Sequence, residues 1–257
     1  MEKHNFKKKY GQNFLNNDEV LEKISSSFNC SKDGKILEIG PGAGALTRKL
    51  VRFGYPVTAF EIDTDLKPKL DNINVENLRV VFGDFLQINL NEYFSKDDKI
   101  YVVANIPYYI TTPIITKFID EDFIPEEMVL MVQKEVGVRL SAKAGTRDYG
   151  AITVLLNYFF DIEYLFTVDR KDFYPVPNVD SSIIKFTKKR ELIECDYDKF
   201  KILVNDSFKQ KRKNLRNNLK KYNLDKIEKV LEKYNFNLNN RAEEINYKIF
   251  IEITNIL

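Results

Sequence analysis

An amide side chain ends one strongly apolar segment of the chain. Asn105 follows the run at residues 100–104, and Ile106, Pro107 and Tyr108 come next. If the substrate is the exocyclic amine of a nucleobase, the Asn105 carbonyl and a backbone carbonyl can each accept one N–H, which frees the nitrogen lone pair. Proline fixes the turn, and Tyr108 offers a face on which an extruded base can stack, at about 1–3 kcal/mol per base. Taken alone, the stretch is more simply explained as a strand that ends in a proline turn with core aromatics. Together with the glycine loop and the two acids described next, it predicts group transfer to a nucleobase nitrogen.

A glycine loop, EIGPGAG at residues 38–44, could hold the donor for such a transfer. Its G-x-G-x-G spacing differs from the G-x-G-x-x-G of dinucleotide sites, although spacing alone separates the two weakly. Glu61 ends the next apolar run, where a carboxylate can accept hydrogen bonds from both hydroxyls of a ribose. Asp84 ends the run after that and can accept a hydrogen bond from the amine of an adenine. The combination favours S-adenosylmethionine, with NAD as the alternative.

Polar residues at the ends of apolar runs recur at intervals that fit one strand, one helix and two short loops. Glu38, Glu61, Asp84 and Asn105 occupy these positions, and a fifth apolar run spans residues 128–132. This repeat is typical of a parallel α/β sheet. Because the carboxyl ends of parallel strands share one edge, we expect the four side chains to converge on one cleft. For any one of them, a helix N-cap is the simpler explanation.

The sequence pattern changes after Gly150. Residues 151–160, 164–168 and 181–186 are predicted to be strands that close the sheet with an antiparallel edge. From about Cys195 the apolar residues follow a helical period. The sequence thus predicts an α/β domain over residues 1–190 and a small all-α domain over residues 191–257.

Composition narrows the class of protein. The 257 residues include 44% hydrophobic and 30% charged side chains with a net charge of +2, values typical of a soluble globular protein. No apolar stretch approaches the ~18 residues of a membrane span, and the N-terminus lacks the apolar core of a secretory signal. Two cysteines and one histidine predict neither a disulfide framework nor a metal site. We therefore expect a cytoplasmic protein with no membrane or metal partner.

Basic residues concentrate near the C-terminus, and residues 207–221 contain seven of them and no acid. If this segment is one helix, its apolar side chains form a buried face. These are Val204, Phe208, Leu215, Leu219 and Tyr222. The opposite face suits RNA phosphates, which supply affinity rather than sequence choice. Lys209, Lys213, Arg216 and Lys220 form that face, and with Arg212 they are the predicted RNA contacts. A solvated helix face is the alternative, but it would usually include acids for i,i+4 pairs.

Together these stretches resemble the ribosomal RNA adenine N6-dimethyltransferases over nearly the whole chain. The resemblance is closest to the branch that dimethylates two adjacent adenines near the 3′ end of small-subunit (16S) rRNA. The segments that carry it are YGQNFL (10–15), EIGPGAG (38–44), EID (61–63), GD (83–84), NIPY (105–108), QKE (133–135), FYPVPNVDS (173–181) and FKQKRK (208–213). The last two favour this branch over the 23S rRNA resistance methyltransferases. The resemblance implies a Rossmann-like class I S-adenosylmethionine-dependent methyltransferase sheet with a small all-α C-terminal domain.

The resemblance also implies roles by position. It implies cofactor contacts at Gln12, Asn13, Leu15, Gly40, Gly42, Gly44, Glu61, Ile62, Asp84, Phe85 and Asn105. It implies catalytic roles for Asn105, Ile106, Pro107, Tyr108 and Phe173, with Tyr108 and Phe173 on the two faces of the target adenine. Two departures from the family pattern are small: Tyr109 stands where some relatives have Asn, and Lys211 where Arg is usual. The second weakens bidentate phosphate contact.

The implied activity is N6,N6-dimethylation of two adjacent adenines of 16S rRNA, with S-adenosylmethionine as cofactor, the 30S subunit as partner and a role in ribosome biogenesis. A monomer is expected. Three alternatives stay open at this point: a 23S rRNA adenine N6-methyltransferase, a non-catalytic ribosome assembly or transcription factor on the same fold, and an NAD-dependent dehydrogenase. The ribosomal subunit that is methylated distinguishes a 23S rRNA enzyme from a 16S rRNA enzyme. Detection of methyl transfer excludes the non-catalytic factor and the dehydrogenase.

Overall fold

The computed structural model describes residues 13–105 and 110–257. Its strands are β1 (Phe14–Leu15), β2 (Gly34–Ile39), β3 (Val57–Glu61), β4 (Leu78–Phe82), β5 (Lys99–Asn105), β6 (Glu127–Gln133), β7 (Phe160–Val168), β8 (Phe173–Tyr174) and β9 (Ser181–Lys188). Its α-helices are α1 (Asp18–Ser25), α2 (Thr47–Leu50), α3 (Lys67–Asp71), α4 (Thr111–Asp120), α5 (Lys134–Leu140), α6 (Ala151–Phe159), α7 (Tyr197–Ser207), α8 (Leu215–Asn218), α9 (Leu224–Glu232) and α10 (Tyr247–Ile256).

The predicted parallel sheet is confirmed. β4, β3, β2, β5 and β6 lie side by side in that order, and neighbouring strands run parallel. In the central strand β2, Ile36 is opposite Val57 on one side and Tyr101 on the other. Leu37 and Val103 are fully buried, as expected for strands of a parallel sheet that is covered on both faces. The carboxyl ends of β2, β3 and β5 therefore lie at one edge.

An antiparallel edge closes the sheet, also as predicted. β9 pairs antiparallel with β6, and β7 lies beyond β9. The strand predicted at residues 151–160 is wrong, because Ala151–Phe159 form the helix α6. Val154 and Leu156 are fully buried and Leu155 is nearly so. Three consecutive residues point to different sides of a helix, so the helix is buried on more than one side. Periodicity cannot distinguish such a buried helix from a buried strand.

The chain folds into two compact units. The first unit comprises the described residues up to Gly137 together with Glu163–Lys188, and the second comprises Val138–Ile162 and Lys189–Leu257. The predicted helical C-terminal region is confirmed, since α7 to α10 all lie in the second unit. The division at residue 190 stays a prediction, and the compact units place residues 138–162 with the C-terminal helices. In the described part of the chain, no helix is long and apolar enough to cross a membrane.

The single basic helix predicted over residues 207–221 is wrong. α7 ends at Ser207 and α8 begins only at Leu215. Asn218 accounts for the break, because its Nδ2 group donates a hydrogen bond to the Ser207 carbonyl (2.7 Å) that a continuous helix would use itself. The burial predicted for Leu215 and Leu219 is nevertheless confirmed, since both are fully buried.

The central strand buries a carboxyl group. Glu38 is 1% exposed, and its Oε2 atom has no hydrogen-bond partner among the described residues. Burial disfavours the charged form and outweighs the opposing effect of the Thr47 hydroxyl. The negative charge of Glu61 acts in the same direction as burial, so the pKa of Glu38 is raised to about 8. The Glu38 carboxyl is therefore mostly protonated at neutral pH.

Replacing this carboxyl by an amide, Glu38→Gln, should remove a pH dependence of stability. Between pH 4.5 and about 8 the folded chain keeps a proton on Glu38 that the unfolded chain has lost. The free energy of unfolding therefore falls as pH rises through this window, by up to about 1.4 kcal/mol per pH unit. Urea denaturation from pH 5 to 8 should show the variant gaining stability relative to the wild type.

The exposed position Glu76 supplies the control for this experiment. Glu76→Gln should follow the wild-type curve at every pH. If Glu38→Gln also stayed parallel to the wild type, the folded protein would have to hold Glu38 ionised, contrary to our interpretation.

Candidate active site

A cavity in the first unit lies at the carboxyl ends of β2, β3 and β5. Three of the four polar residues that were predicted to converge there line it: Glu38, Glu61 and Asn105. Six other predicted site residues also line it: Asn13, Leu15, Gly40, Gly42, Ile62 and Phe173. The predicted residues Gln12, Ile106, Pro107 and Tyr108 lie outside the described residues. The parallel sheet thus brings the glycine loop, the carboxylate and the amide together, as the strand pattern predicts.

The glycine loop approaches Asn105 closely at Gly40. Gly40 has a φ of +71°, and a Cβ atom built on it would lie 3.3 Å from the backbone oxygen of Asn105. Both the left-handed backbone and the close approach favour glycine here. Gly44 is required for a different reason. A Cβ atom at this position would clash with the Cδ1 atom of Ile73, and Gly44 does not line the cavity. Gly44 lets the loop pack on the core, and its cofactor contact stays a prediction.

Glu61 joins the glycine loop to the end of β3. Its Oε2 atom accepts a hydrogen bond from the backbone N–H of Gly42 (2.9 Å), and its Oε1 atom accepts one from Asp63 (2.8 Å). Burial raises the pKa of this carboxyl, and the two backbone hydrogen bonds oppose that shift. A carboxylate has about four lone-pair sites. Two sites therefore remain for the hydroxyl groups of a ribose.

Asn105 is the last residue of β5, opposite Met131 of β6, and is half-buried. Its amide can donate and accept hydrogen bonds but takes up no proton near neutral pH. At this place in the cavity the side chain can orient an amine, whereas it cannot serve as a general base.

Asp84 does not line the cavity. It is exposed, and its Oδ1 atom accepts a hydrogen bond from the backbone N–H of Leu86 (3.0 Å), which caps the 3₁₀ turn Phe85–Gln87. Phe85 is buried and packs edge-on against Phe60, with ring centroids 5.4 Å apart. The simpler N-cap explanation therefore accounts for Asp84 in this structure. Cofactor contacts at Asp84 and Phe85 stay predictions.

Phe173 is almost entirely buried. It is 3% exposed, pairs with Leu15 between β8 and β1, and packs in the core of the first unit with Val168 and Ile183. The residue nevertheless lines the cavity. Stacking of its ring on an adenine stays a prediction.

Several cavity residues were not indicated by the sequence pattern. Phe14, Leu21, Ile24 and Met131 line the cavity with the predicted residues. Phe14 lies against the glycine loop, since a Cβ atom on Gly42 would be 2.8 Å from its ring. This contact joins residues far apart in sequence, so no local pattern could reveal it. Only the resemblance at residues 10–15 pointed to this part of the chain.

The side chains around the cavity fit S-adenosylmethionine. The unpartnered Oε2 atom of buried Glu38 can accept a hydrogen bond from an ammonium group, and Glu61 can accept two from a ribose. Ile62 is 43% exposed and offers an apolar surface to an adenine ring. Across residues 13–105 and 110–257, no three His, Cys, Asp or Glu side chains are grouped to hold a metal ion.

Comparison with known proteins identifies a family. Residues 3–257 match the model of the family described as Ribosomal RNA adenine dimethylase. A Fusobacterium nucleatum protein described as Ribosomal RNA small subunit methyltransferase A is 46% identical over 258 residues, which cover 97% of each chain. A Bacillus cytotoxicus protein with the same description is 40% identical over 266 residues, covering 98% of this chain and 91% of the other.

Two solved structures resemble the fold over nearly the whole chain. A dimethyladenosine transferase from Plasmodium falciparum matches with a TM-score of 0.78 at 28% identity, covering 93% of this chain and 95% of the other. The 23S rRNA methyltransferase ErmE matches with a TM-score of 0.74 at 26% identity, covering 94% and 99%. These matches confirm the predicted Rossmann-like methyltransferase fold. From the family match and the identity to both relatives, the chain is a methyltransferase that belongs to the ribosomal RNA adenine dimethylase family.

Proposed function

We propose that this protein dimethylates the N6 atoms of two adjacent adenines near the 3′ end of 16S rRNA, with S-adenosylmethionine as methyl donor. One observation carries the proposal: the glycine loop, Glu61 and Asn105 line the same cavity. The residues expected to bind the cofactor therefore lie in the same cavity as the residue expected to bind the target amine. The relatives at 46% and 40% identity, whose descriptions name the small ribosomal subunit, support this choice of RNA. We expect the 30S subunit as partner, the cytoplasm as compartment and a monomeric enzyme.

The chemistry explains why an amide is suited to this position. The exocyclic nitrogen of adenine is a poor nucleophile because its lone pair is delocalised into the ring. When the Asn105 carbonyl and a backbone carbonyl each accept one of its N–H groups, the nitrogen is drawn toward a tetrahedral geometry and its lone pair becomes available. S-adenosylmethionine supplies the electrophilic methyl group. Positioning and preorganised dipoles then provide most of the rate enhancement, without a strong base.

The second unit supplies the RNA-phosphate contacts in this proposal. Lys209, Arg212, Lys213 and Lys220 are exposed, and none of them forms an ion pair in the described part of the chain. Lys209 is nevertheless close enough to Asp206 for its charge to lower the pKa of that carboxyl. The guanidinium of Arg216 approaches the Glu228 carboxylate at 3.5 Å, which partly neutralises it. We therefore expect the first four residues to bind phosphate more strongly than Arg216 does.

A 23S rRNA adenine methyltransferase is the second candidate, because the ErmE structure covers 94% of this chain. The identity to ErmE is 26%, whereas the small-subunit relatives reach 46%. The difference favours 16S rRNA as the substrate.

One experiment separates these candidates. The purified protein is incubated with methyl-labelled S-adenosylmethionine and unmethylated 30S or 50S subunits, and the modified nucleosides are identified by mass spectrometry. We expect N6,N6-dimethyladenosine in 16S rRNA from 30S subunits only. Label in 50S subunits would favour the 23S candidate, and label in neither would contradict an enzymatic role for the protein.

The substitution Asn105→Ala should abolish most turnover while leaving both substrates bound. Removing one preorganised hydrogen-bond group from a catalytic site typically lowers kcat by about 10²–10³-fold. We expect a kcat loss of this size at saturating cofactor, with the dissociation constant for 30S subunits within about threefold of the wild type. Asn91→Ala, at an exposed position, is the control. Turnover near the wild-type level in Asn105→Ala would rule out the amine-orienting role.

Neutralising Lys209 and Lys213 together should weaken RNA binding and reduce its salt dependence. Each lost phosphate contact should lower the slope of log K against log salt concentration by about 0.7–0.9. Binding of Lys209→Gln/Lys213→Gln to 16S rRNA is measured between 50 and 200 mM salt. The control Lys32→Gln/Lys67→Gln removes the same charge from exposed positions in the first unit and should keep the wild-type slope. An identical slope in both variants would exclude a phosphate-binding role for the segment.

A further inference from the structure

β1 and β8 form a small sheet that is separate from the main one. They pair antiparallel, with Phe14 opposite Tyr174 and Leu15 opposite Phe173. β1 carries the predicted cofactor contact Leu15, and β8 carries Phe173, the predicted partner of the target adenine. One strand pair therefore joins the two halves of the proposed site.

Asp172 holds the end of β1 through two hydrogen bonds. Its backbone carbonyl accepts the N–H of Asn16 (2.8 Å), and its Oδ1 atom accepts the Nδ2 group of Asn17 (2.9 Å). The side chains of Asn17 and Asp172 are both half-buried. A pair of two-residue strands is not stable alone. These bonds therefore help to fix the position of β1 against β8.

Asn17 is also held through its other side-chain atom. Its Oδ1 atom accepts hydrogen bonds from the backbone N–H groups of Glu19 (3.1 Å) and Val20 (3.2 Å), which caps α1. The amide thus uses its acceptor for the helix and its donor for Asp172. The donor can be removed by substitution while the cap is kept.

β1 reaches the cofactor side of the cavity as well. The ring of Phe14 lies against Gly42 of the glycine loop, and Leu15, which is 4% exposed, packs with Leu21 and Ile24 in one core cluster. A ligand that displaces the glycine loop therefore also displaces the Phe14 ring of β1. Any movement of β1 is transmitted through its backbone pairing to Phe173.

We propose that the Asn17–Asp172 hydrogen bond couples occupation of the cofactor cavity to binding of the target base, through β1 and β8. This inference rests on the proposed function. Because both subsites depend on one strand pair, bound cofactor should strengthen RNA binding, and by linkage RNA should strengthen cofactor binding by the same factor. Neither Asn17 nor Asp172 lines the cavity, so both are positioning residues.

Three variants separate the hydrogen bond from the helix cap. Asn17→Asp keeps a capping oxygen, because Asp and Asn are equally good N-caps, but sets a carboxylate against Asp172. Asp172→Asn keeps the acceptor oxygen for Asn17. The double variant Asn17→Asp/Asp172→Asn re-forms the bond with donor and acceptor exchanged. Asn246→Asp makes the same change at the N-cap of α10, where the side chain accepts the N–H of Lys248, and is the matched control.

The readout is the ratio of 30S dissociation constants measured without and with saturating S-adenosylhomocysteine. We expect at least about a fivefold ratio for the wild type, the lower end of typical couplings. Asn17→Asp should lower the ratio to nearly one and raise KM for both substrates. Because the two facing carboxylates also destabilise the strand pair, all variants are compared well below their melting temperatures. Asp172→Asn and the double variant should return the ratio to within about twofold of the wild type. Asn246→Asp should keep the wild-type ratio.

A wild-type ratio of one would overturn the inference, as would an unchanged ratio in Asn17→Asp. Failure of the double variant to restore the ratio, when Asp172→Asn alone keeps it, would also overturn it. If Asn17→Asp does not fold, Asp172→Ala breaks the same hydrogen bond by removing its acceptor, adds no charge and should show the same loss. A wild-type protein that binds 30S subunits with cofactor-dependent affinity but methylates no RNA would instead overturn the proposed function.

Discussion

The hydrogen bond from the Gly42 N–H to the Glu61 carboxylate fixes the glycine loop against the end of β3, and the rest of the site depends on that position. The loop leaves β2 through a left-handed turn at Gly40, which needs a fixed partner to keep its direction. Once the loop is held, Gly40 lies against the Asn105 carbonyl and Gly42 against the Phe14 ring. One bond between a backbone group and a buried acid thus positions the glycine loop relative to the amide.

The order of the strands decides which polar strand ends meet. β3 and β5 flank β2, so Glu61 and Asn105 lie beside the glycine loop. β4 lies one strand further out, and Asp84 at its end is exposed and caps a turn. The sequence could predict the strands and their polar ends, because each is a local pattern. It could not predict their order, because a repeat of strands and helices has the same period in any order.

Burial was easier to predict from the sequence than the type of element. Leu215 and Leu219 are buried as predicted, although the helix expected around them is interrupted by a side-chain hydrogen bond from Asn218. Residues 151–159 were predicted to be a strand but form a helix with Thr153–Leu156 and Tyr158 buried, because so apolar a run has no readable period. The family resemblance supplied Leu15 and Phe173. Their pairing, like the Asn17–Asp172 bond, joins distant parts of the chain and required the structure.

The small β1–β8 sheet adds apolar surface at the carboxyl edge of the parallel sheet. The carboxyl edge of such a sheet gathers polar groups, but methyl transfer benefits when water is excluded from them. Phe14, Leu15 and Phe173 contribute apolar surface to the cavity from a strand pair outside the main sheet. Two short strands cannot hold themselves together. Their position must come from groups at their ends, and Asp172 supplies both a backbone and a side-chain acceptor there. The same bonds that hold β1 at the cavity therefore also position the ring proposed to receive the target base.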